Sequence, residues 1–138
     1  MTCTQPAGDR AKLRVSELEA GIEAEHDFVV EGRLLTDVGG TLSTSVLSTP
    51  GMIAMMERTA AMLVYPRLPE GKATVGFEVC VKHVAGALAG TRCRALARLE
   101  DVREGRKLRF AVQVLDEDGR TIGVGTHERR VIDANRQG

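Results

Sequence analysis

One apolar segment, residues 49–64, restricts the fold of this chain more than any other. It begins with Thr49 and Pro50, a capping residue followed by the proline that is favoured at a helix start. Pro66 and Pro69 end the segment, because proline does not continue a helix. The predicted helix has about four turns and is apolar on nearly every side, which is typical of a helix buried all round. Its large or apolar residues are Met52, Ile53, Met55, Met56, Ala60, Met62, Leu63 and Val64.

Most of the remaining chain has the alternating pattern of strands. Apolar residues at every second position predict strands over residues 22–30, 75–83, 91–102, 108–114 and 121–132. Turns are predicted at Glu104-Gly105 and at residues 116–119. One long helix with four or five antiparallel strands predicts an α+β domain in which a curved sheet wraps around a central helix. Such a sheet has exposed edges, which pairing with a second copy would cover.

Three polar residues lie where these patterns predict a shared interior. The residues on one face of the strand after the helix are Val75, Phe77, Val79, Val81 and His83. His83 would therefore face the helix that carries Thr49 and Glu57, and a hydroxyl, a carboxylate and an imidazole are the groups that hydrolytic acyl transfer uses. Each also has a structural interpretation: a helix cap for Thr49, an interface ion pair for Glu57, and a core histidine for His83. Their conjunction favours the functional interpretation.

Composition excludes several classes of protein. The chain has 138 residues, which suits one domain, and its 19 basic and 19 acidic residues are interspersed, so nucleic acid is not an expected partner. No apolar run has the length of a membrane span, and the N-terminus lacks the layout of a signal peptide, so we expect a cytoplasmic protein. Three cysteines without CxxC spacing predict free thiols and no zinc site. We expect a flexible tail at residues 1–12 and a single domain at 13–138.

Four segments carry a family resemblance. They are Thr49-Pro50-Gly51, Glu57, residues 79–83, and Gly123-Val124-Gly125-Thr126-His127-Glu128-Arg129. Together, over residues 26–132, they resemble the fluoroacetyl-CoA thioesterase family of hot-dog proteins. The resemblance implies a hot-dog fold, a homodimer with the site at its interface, and a catalytic set formed by Thr49, Glu57 and His83. It also implies that Gly76 lines the acyl site and that Arg129 lies near the active site.

The resemblance implies hydrolysis of a thioester on coenzyme A or a related carrier. Coenzyme A would then be part of the substrate, and no other cofactor or metal is expected. The fluoroacetyl-specific enzyme carries phenylalanines in its lid, whereas this chain has none between Phe28 and Phe77. The resemblance therefore does not identify the acyl group of the substrate.

The chemistry suggests a role for each residue. A thioester carbonyl under attack develops negative charge, and the N–H groups of Gly51 and Met52 at the helix start are candidate donors to it. We expect His83 and Glu57 to act together, with the carboxylate as nucleophile or as base for water. Thr49 would orient substrate, water or carboxylate. The long connection at residues 32–48 leads into the helix and is a candidate lid.

Other interpretations remain at this stage. His127 and Glu128 adjoin on a strand and point to opposite faces, so a structural role is expected for both. Gly123 and Gly125 predict a bulge or a close strand approach. A non-catalytic acyl-CoA-binding or regulatory hot-dog protein is the main alternative function. A hot-dog dehydratase is the other, although residues 39–64 contain no histidine.

Overall fold

The computed structural model describes residues 18–134. The tail predicted at residues 1–12, residues 13–17 and residues 135–138 lie outside that part of the chain. The elements are strands β1 (Glu23–Val29), β2 (Leu35–Thr36) and β3 (Val46–Leu47), helix α1 (Thr49–Val64), and strands β4 (Lys72–His83), β5 (Arg92–Arg103), β6 (Lys107–Asp116) and β7 (Thr121–Asp133). Single turns of 3-10 helix lie at Gly32–Leu34 and Tyr65–Arg67.

Five strands form one antiparallel sheet in the order β1-β5-β6-β7-β4, which packs around α1. The predicted α+β architecture is therefore confirmed. The helix has the predicted bounds, and the ends of these five strands lie within three residues of the predicted ones. The short strands β2 and β3 pair in a separate sheet inside the connection at residues 32–48. No helix among residues 18–134 is long and apolar enough to cross a membrane.

The core lies between α1 and the inner face of the sheet. Every second residue of β6, and of β5 as far as Leu99, is buried there, as the alternating pattern predicts. A register shift between Leu99 and Asp101 makes Val102 the next buried residue, and the outward residues of both strands are mostly charged or polar. The inward residues of these two strands are Cys93, Ala95, Ala97, Leu99, Val102, Leu108, Phe110, Val112 and Val114. Their burial is the main favourable term for the fold, at about 25 cal/mol per Å² of apolar surface.

The glycines of β7 allow two close approaches, of which the one at Gly125 is the close strand approach that the sequence predicted. A Cβ added to Gly125 would collide with the carbonyl oxygen of Cys80 on β4. A Cβ added to Gly123 would collide with the Met52 side chain on α1. Larger residues at these positions would push β4 or the helix away from β7.

The cap of α1 differs from the prediction by one residue. Ser48 is the N-cap, and its Oγ accepts a hydrogen bond of 2.9 Å from the Gly51 N–H. Thr49 is the first residue of the helix and Pro50 the second. The interpretation of Thr49 as the cap is therefore wrong, because Ser48 supplies the capping oxygen one residue earlier. The Thr49 hydroxyl is left available for another partner.

One stripe of α1 is open, so the prediction of a helix buried all round is wrong for the single chain. Ala54, Arg58, Met62 and Tyr65, which follows the helix, recur at three- or four-residue spacing and are exposed. Met62 is 51% exposed and Tyr65 is 56% exposed. The sheet covers the opposite side of the helix, and this stripe faces away from it.

Strand β4 contains a bulge at Phe77. Its register against β7 shifts between Gly76 and Glu78, so Phe77 is one extra residue in the strand. Because of this residue, both Gly76 before the bulge and Val79 after it lie opposite inward-facing residues of β7. The bulge reverses the alternation of faces along the strand.

The single apolar row predicted over residues 75–83 is therefore wrong in its first part. Val75 and Phe77 are 44% and 60% exposed. The Arg130 guanidinium, on the outer face of β7, lies 3.4 Å from the centre of the Phe77 ring. Val81 packs against the core and His83 reaches the helix, as predicted.

The two edges of the sheet have different surfaces. The β1 edge is charged: Arg94 forms ion pairs with Glu25 and Asp27, and Arg98 forms one with Glu23. Charged residues of this kind discourage pairing with another strand. The β4 edge is exposed over residues 75–80 and is largely apolar there. An exposed apolar edge is the usual place for a partner to bind.

Cys80 and Cys93 are free thiols, as predicted, and Cys3 lies outside the described residues. Burial, together with the carboxylates of Asp116 and Glu117, raises the pKa of Cys93 to about 11. The Cys93 thiol is therefore protonated at neutral pH and is a poor nucleophile.

Candidate active site

A hydroxyl and an imidazole meet where α1 begins and β4 ends. The Oγ1 of Thr49 lies 2.8 Å from the Nδ1 of His83. When Nδ1 carries no proton, the hydroxyl donates to it, which is the arrangement of a hydroxyl beside its base. The Nε2 of His83 is buried and has no hydrogen-bond partner among the described residues. Because a buried nitrogen of this kind normally has a partner, Nε2 marks a place for a further group to bind.

Glu57 lies two turns further along α1, against Gly76 of β4. A Cβ built on Gly76 would lie 2.6 Å from the Oε2 of Glu57, closer than any normal contact. Only glycine at this position leaves room for the carboxylate. The Glu57 side chain is 38% exposed and stands in an open cleft of 360 Å³, which Arg58, Met62 and Arg129 also line.

Two basic side chains of β7 face this carboxylate. The Nη1 of Arg129 lies 3.9 Å from the Oε2 of Glu57, and the Nε2 of His127 lies 4.0 Å from it. Both distances are longer than a hydrogen bond. The guanidinium therefore compensates the negative charge of Glu57. The oxygens of the Glu57 carboxylate keep lone pairs that can bind a water or a substrate.

Arg129 is held from several sides. Its Nε donates to the Oγ1 of Thr74 at 2.8 Å, and its Nη2 donates to the main-chain oxygen of Thr74 at 3.0 Å. Its Nη1 lies 3.1 Å from the Nε2 of His127. Arg129 is 8% exposed, so these contacts satisfy a guanidinium that water scarcely reaches. Burial lowers its pKa, and the Glu57 carboxylate raises it.

His127 is 2% exposed and is part of this cluster. Its Nδ1 lies 2.8 Å from the main-chain oxygen of Glu78, and its ring stacks on Phe110 with 6.1 Å between centroids. Burial is the largest effect on its pKa and lowers it, and the Arg129 charge acts in the same direction. The carbonyl of Glu78 and the carboxylate of Glu57 raise it by less. The net result is a histidine that favours its neutral form.

Within one chain the predicted catalytic residues form two separate groups. Thr49 and His83 form one, and Glu57 with Arg129 and His127 forms the other. Over the described part of the chain, no hydrogen bond or ion pair joins His83 to Glu57. Glu57 is eight positions after Thr49, a rise of about 12 Å along the helix. His83 is seven positions after Gly76, a rise of about 23 Å along a regular strand.

The expected oxyanion donors are already engaged. The Gly51 N–H donates to the Oγ of Ser48, and the Met52 N–H donates to the Ser48 carbonyl, each at 2.9 Å. Met52 is also fully buried, with its side chain against Gly123. Neither N–H group is free to bind a substrate oxygen in this arrangement.

The candidate lid is anchored at both ends. Leu35–Thr36 pairs with Val46–Leu47, the Ser48 N–H donates to the Leu34 carbonyl, and the Leu47 N–H donates to the Ala87 carbonyl. Residues 37–44 between these strands are all exposed. Asp37 accepts hydrogen bonds from the N–H groups of Gly40 and Leu42 within the same turn. Val38 and Leu42, which are 55% and 42% exposed, are the large apolar side chains of this loop.

Sequence reasoning missed His127 and Thr74 as members of the site. His127 and Glu128 do lie on opposite faces, as predicted, but His127 bonds Arg129 and lies 4.0 Å from Glu57 on the helix. The sequence did contain a signal for this. His127 and Arg129 are two positions apart on a predicted strand, so both side chains lie on one face of it. Across residues 18–134, no three His, Cys, Asp or Glu side chains are grouped so that they could hold a metal ion.

A family model described as fluoroacetyl-CoA-specific thioesterase matches residues 29–135. The fluoroacetyl-CoA thioesterase of Streptantibioticus cattleyicolor is 37% identical over 87 residues, which are 63% of this chain and 61% of that protein. The chain thus spans about three fifths of the length of this curated relative.

Two solved structures show how far the likeness extends in three dimensions. One is the crystal structure of a phenylalanine-to-alanine variant of the fluoroacetyl-CoA-specific thioesterase with fluoroacetate and coenzyme A. It has a TM-score of 0.79 and 30% identity, and the match covers 88% of this chain and all of that one. The other is a thioesterase superfamily member from Thermus thermophilus, with a TM-score of 0.76, 30% identity and 85% of each chain covered. These likenesses confirm the hot-dog fold that the sequence predicted.

Proposed function

The chain belongs to the fluoroacetyl-CoA-specific thioesterase family, and on that premise we propose that it hydrolyses the thioester bond of a small acyl-CoA. The observation that carries the proposal is the Thr49–His83 pair at 2.8 Å, with a buried His83 Nε2 that lacks a partner among the described residues. In the tautomer in which Nδ1 carries the proton and donates it to the Thr49 hydroxyl, Nε2 presents a lone pair and can act as a base in acyl transfer. Glu57 supplies the carboxylate.

The complete site in this proposal needs a second copy of the chain. His83 is the last residue of β4, whereas Glu57 stands against Gly76 near the middle of that strand. β4 is an exposed, largely apolar edge strand. If β4 pairs antiparallel with β4 of a second copy about a two-fold axis, the His83 end of one strand lies beside the Gly76 end of the other. Glu57 of the partner subunit then approaches the Thr49–His83 pair.

The exposed surfaces of the single chain support this homodimer. Phe77 is 60% exposed on the β4 edge, and Met62 and Tyr65 are more than half exposed on the open stripe of α1. The two surfaces adjoin, because Met62 lines the same cleft as Gly76, the residue before Phe77. A second copy would remove them from water, as hydrophobic interfaces between subunits do.

The roles of the three residues follow from their surroundings. Glu57 has a guanidinium 3.9 Å away but no direct hydrogen bond to it, so its oxygens are free to attack the carbonyl or to take a proton from water. His83 acts as the proton carrier through Nε2, and Thr49 fixes its ring through Nδ1. Gly76 leaves the space in which the carboxylate stands.

The proposal specifies that the acyl group is small and does not specify its identity. Residues 37–45 above the helix start contain no phenylalanine, so a preference for fluoroacetyl-CoA is not part of the proposal. Coenzyme A enters as part of the substrate. Cytoplasmic location stays a prediction from the sequence.

The test is release of free thiol from a panel of acyl-CoA esters of increasing length, with and without electron-withdrawing substituents. The native protein is compared with Glu57→Gln and His83→Ala. Two matched controls are Glu70→Gln, which removes an exposed carboxylate, and His26→Ala, which removes a histidine of β1. We expect hydrolysis by the native protein and both controls, and a loss of about 1,000-fold or more in the two site variants. Tight acyl-CoA binding without hydrolysis of any ester would instead identify a non-catalytic binding protein.

A further inference from the structure

His127 is the one buried histidine in the described chain that the proposed reaction does not use. It lies on the inner face of β7, packed on Phe110, and its two ring nitrogens have different partners. Nδ1 faces the main-chain oxygen of Glu78 at 2.8 Å. Nε2 faces the Nη1 of Arg129 at 3.1 Å.

These partners determine the tautomer. A carbonyl oxygen only accepts, so Nδ1 must carry the proton that it donates to Glu78. A guanidinium nitrogen only donates, so Nε2 must present its lone pair to Arg129. The arrangement is satisfied by the neutral ring with Nδ1–H and by no other state. A protonated ring would place two donors 3.1 Å apart and add a second positive charge beside Arg129.

The contacts of Arg129 explain why its acceptor matters. Thr74 accepts from Nε and Nη2, and these two bonds hold one side of the guanidinium. Nη1 is the nitrogen that faces Glu57, at 3.9 Å, and His127 is its hydrogen-bond partner. Without the lone pair of His127, the Nη1 end loses its anchor, and the planar guanidinium can shift as a unit toward the Glu57 carboxylate.

We propose that neutral His127 is a positioning residue that holds Arg129 Nη1 at a distance from Glu57, so that the carboxylate is compensated but not bound. This inference rests on the proposed function. The charged groups that face His127 are Glu57 from α1 and Arg129 from β7, while β4 presents a main-chain carbonyl and β6 presents Phe110. A direct Arg129–Glu57 hydrogen bond would occupy the oxygen that the reaction needs.

Two substitutions test the hydrogen bonds of the two ring nitrogens separately. In His127→Gln the side-chain oxygen reaches the position of Nε2 and can accept from Arg129, but the donor to Glu78 is lost. In His127→Asn the amide nitrogen takes the position of Nδ1 and can donate to Glu78, but the acceptor for Arg129 is lost. A merely structural histidine would give activities that follow stability. A positioning histidine gives a kcat for the Asn variant that is about tenfold or more below that of the Gln variant, because small misplacements of a reacting group are costly.

The coupling to Arg129 gives a second readout. If His127 acts through Arg129, the Asn substitution lowers kcat in the native background but has little further effect in Arg129→Met. Equal losses in both backgrounds would overturn the proposal. So would an Asn variant that is at least as active as the Gln variant at equal folded fraction.

Nitrogen-15 NMR of the imidazole tests the tautomer on which the inference depends, whether or not any ester is hydrolysed. We expect the His127 ring to be neutral with the proton on Nδ1 at pH 7. A ring protonated on Nε2, or an imidazolium, would contradict it. Absence of hydrolysis by the native protein would remove the proposed function and leave the tautomer result standing on its own.

Discussion

The Oε2 of Glu57 lies where a methyl group on Gly76 would have to stand, because a Cβ at that position would be 2.6 Å from it. The Glu57 side chain from α1 thus occupies the space that a side chain at position 76 of β4 would need. The bulge at Phe77 is what turns Gly76, and not its bulky neighbour, toward the helix.

Gly76→Ala is expected to lower kcat by about 100-fold without unfolding the protein. The new methyl group displaces the Glu57 carboxylate, and a displacement of about 1 Å is enough for a loss of this size. Alanine is otherwise tolerated in a strand better than glycine. Steady-state kinetics and thermal unfolding of the same samples check this.

Gly86→Ala is the matched control, because a Cβ at Gly86 meets nothing within 4 Å. Native activity in Gly76→Ala would show that the carboxylate does not need this space.

Thr49→Val is expected to reduce kcat by about 100-fold, and Thr49→Ser by much less. Valine has nearly the shape of threonine but lacks the hydroxyl that bonds His83 Nδ1 at 2.8 Å. Kinetics across pH 6–9 check the comparison. Equal activity of the valine and serine variants would contradict a role for the hydroxyl.

Ser48→Ala is expected to lower the free energy of unfolding by about 1 kcal/mol, because the buried Gly51 loses the acceptor of its N–H. Chemical denaturation measures this change. Ser43→Ala, in the exposed loop, is the control and should leave stability unchanged. A loss with Ser43→Ala of the same size would mean that the cap is not the cause.

The pH dependence of stability should report His127. Its folded-state pKa is lowered from 6.5 by burial, so below pH 6.5 the unfolded chain binds more protons at this residue than the folded one. This contribution to the free energy of unfolding is therefore present above pH 6.5 and is lost as the pH falls toward the folded pKa, with a slope of at most about 1.4 kcal/mol per pH unit.

Urea denaturation between pH 5 and 7.5 measures this slope in the native protein and in His127→Gln. The variant lacks the titrating ring, so its curve should be flatter over this range. Parallel curves for the two proteins would contradict a depressed pKa.

Local signals in the sequence predicted the elements well, and pairing between distant strands explains what they missed. The helix bounds follow from Thr49-Pro50 and the later prolines, and these act locally. Ser48 and Thr49 are both good caps, so the sequence alone does not choose between them. The bulge at Phe77 leaves the apolar alternation of β4 intact, and only its register against β7 reveals it.

The candidate site, like the fold, was predicted where local sequence signals determine it and missed where contacts between distant segments do. The types and spacing of Thr49, Glu57 and His83 were visible in the sequence, and the Thr49–His83 pair is formed. The expectation that all three meet in one interior fails for the single chain, because Glu57 stands at Gly76, seven positions before His83 along β4. His127 was missed because its partners lie on α1 and β4, far from it in sequence.

The measurement that tests the central claim most directly is complementation between inactive subunits. His83→Ala and Glu57→Gln are each inactive as homodimers in this account, but their purified heterodimer contains one site with both groups intact. It should regain about half of the native activity per dimer, since one of two symmetric sites is restored. His83→Ala with Thr49→Val is the matched control, because those residues share one half of the site and no intact site forms. Recovery in the first heterodimer but not in the second is the predicted result, and no recovery in either would show that Glu57 and His83 do not meet across the two subunits.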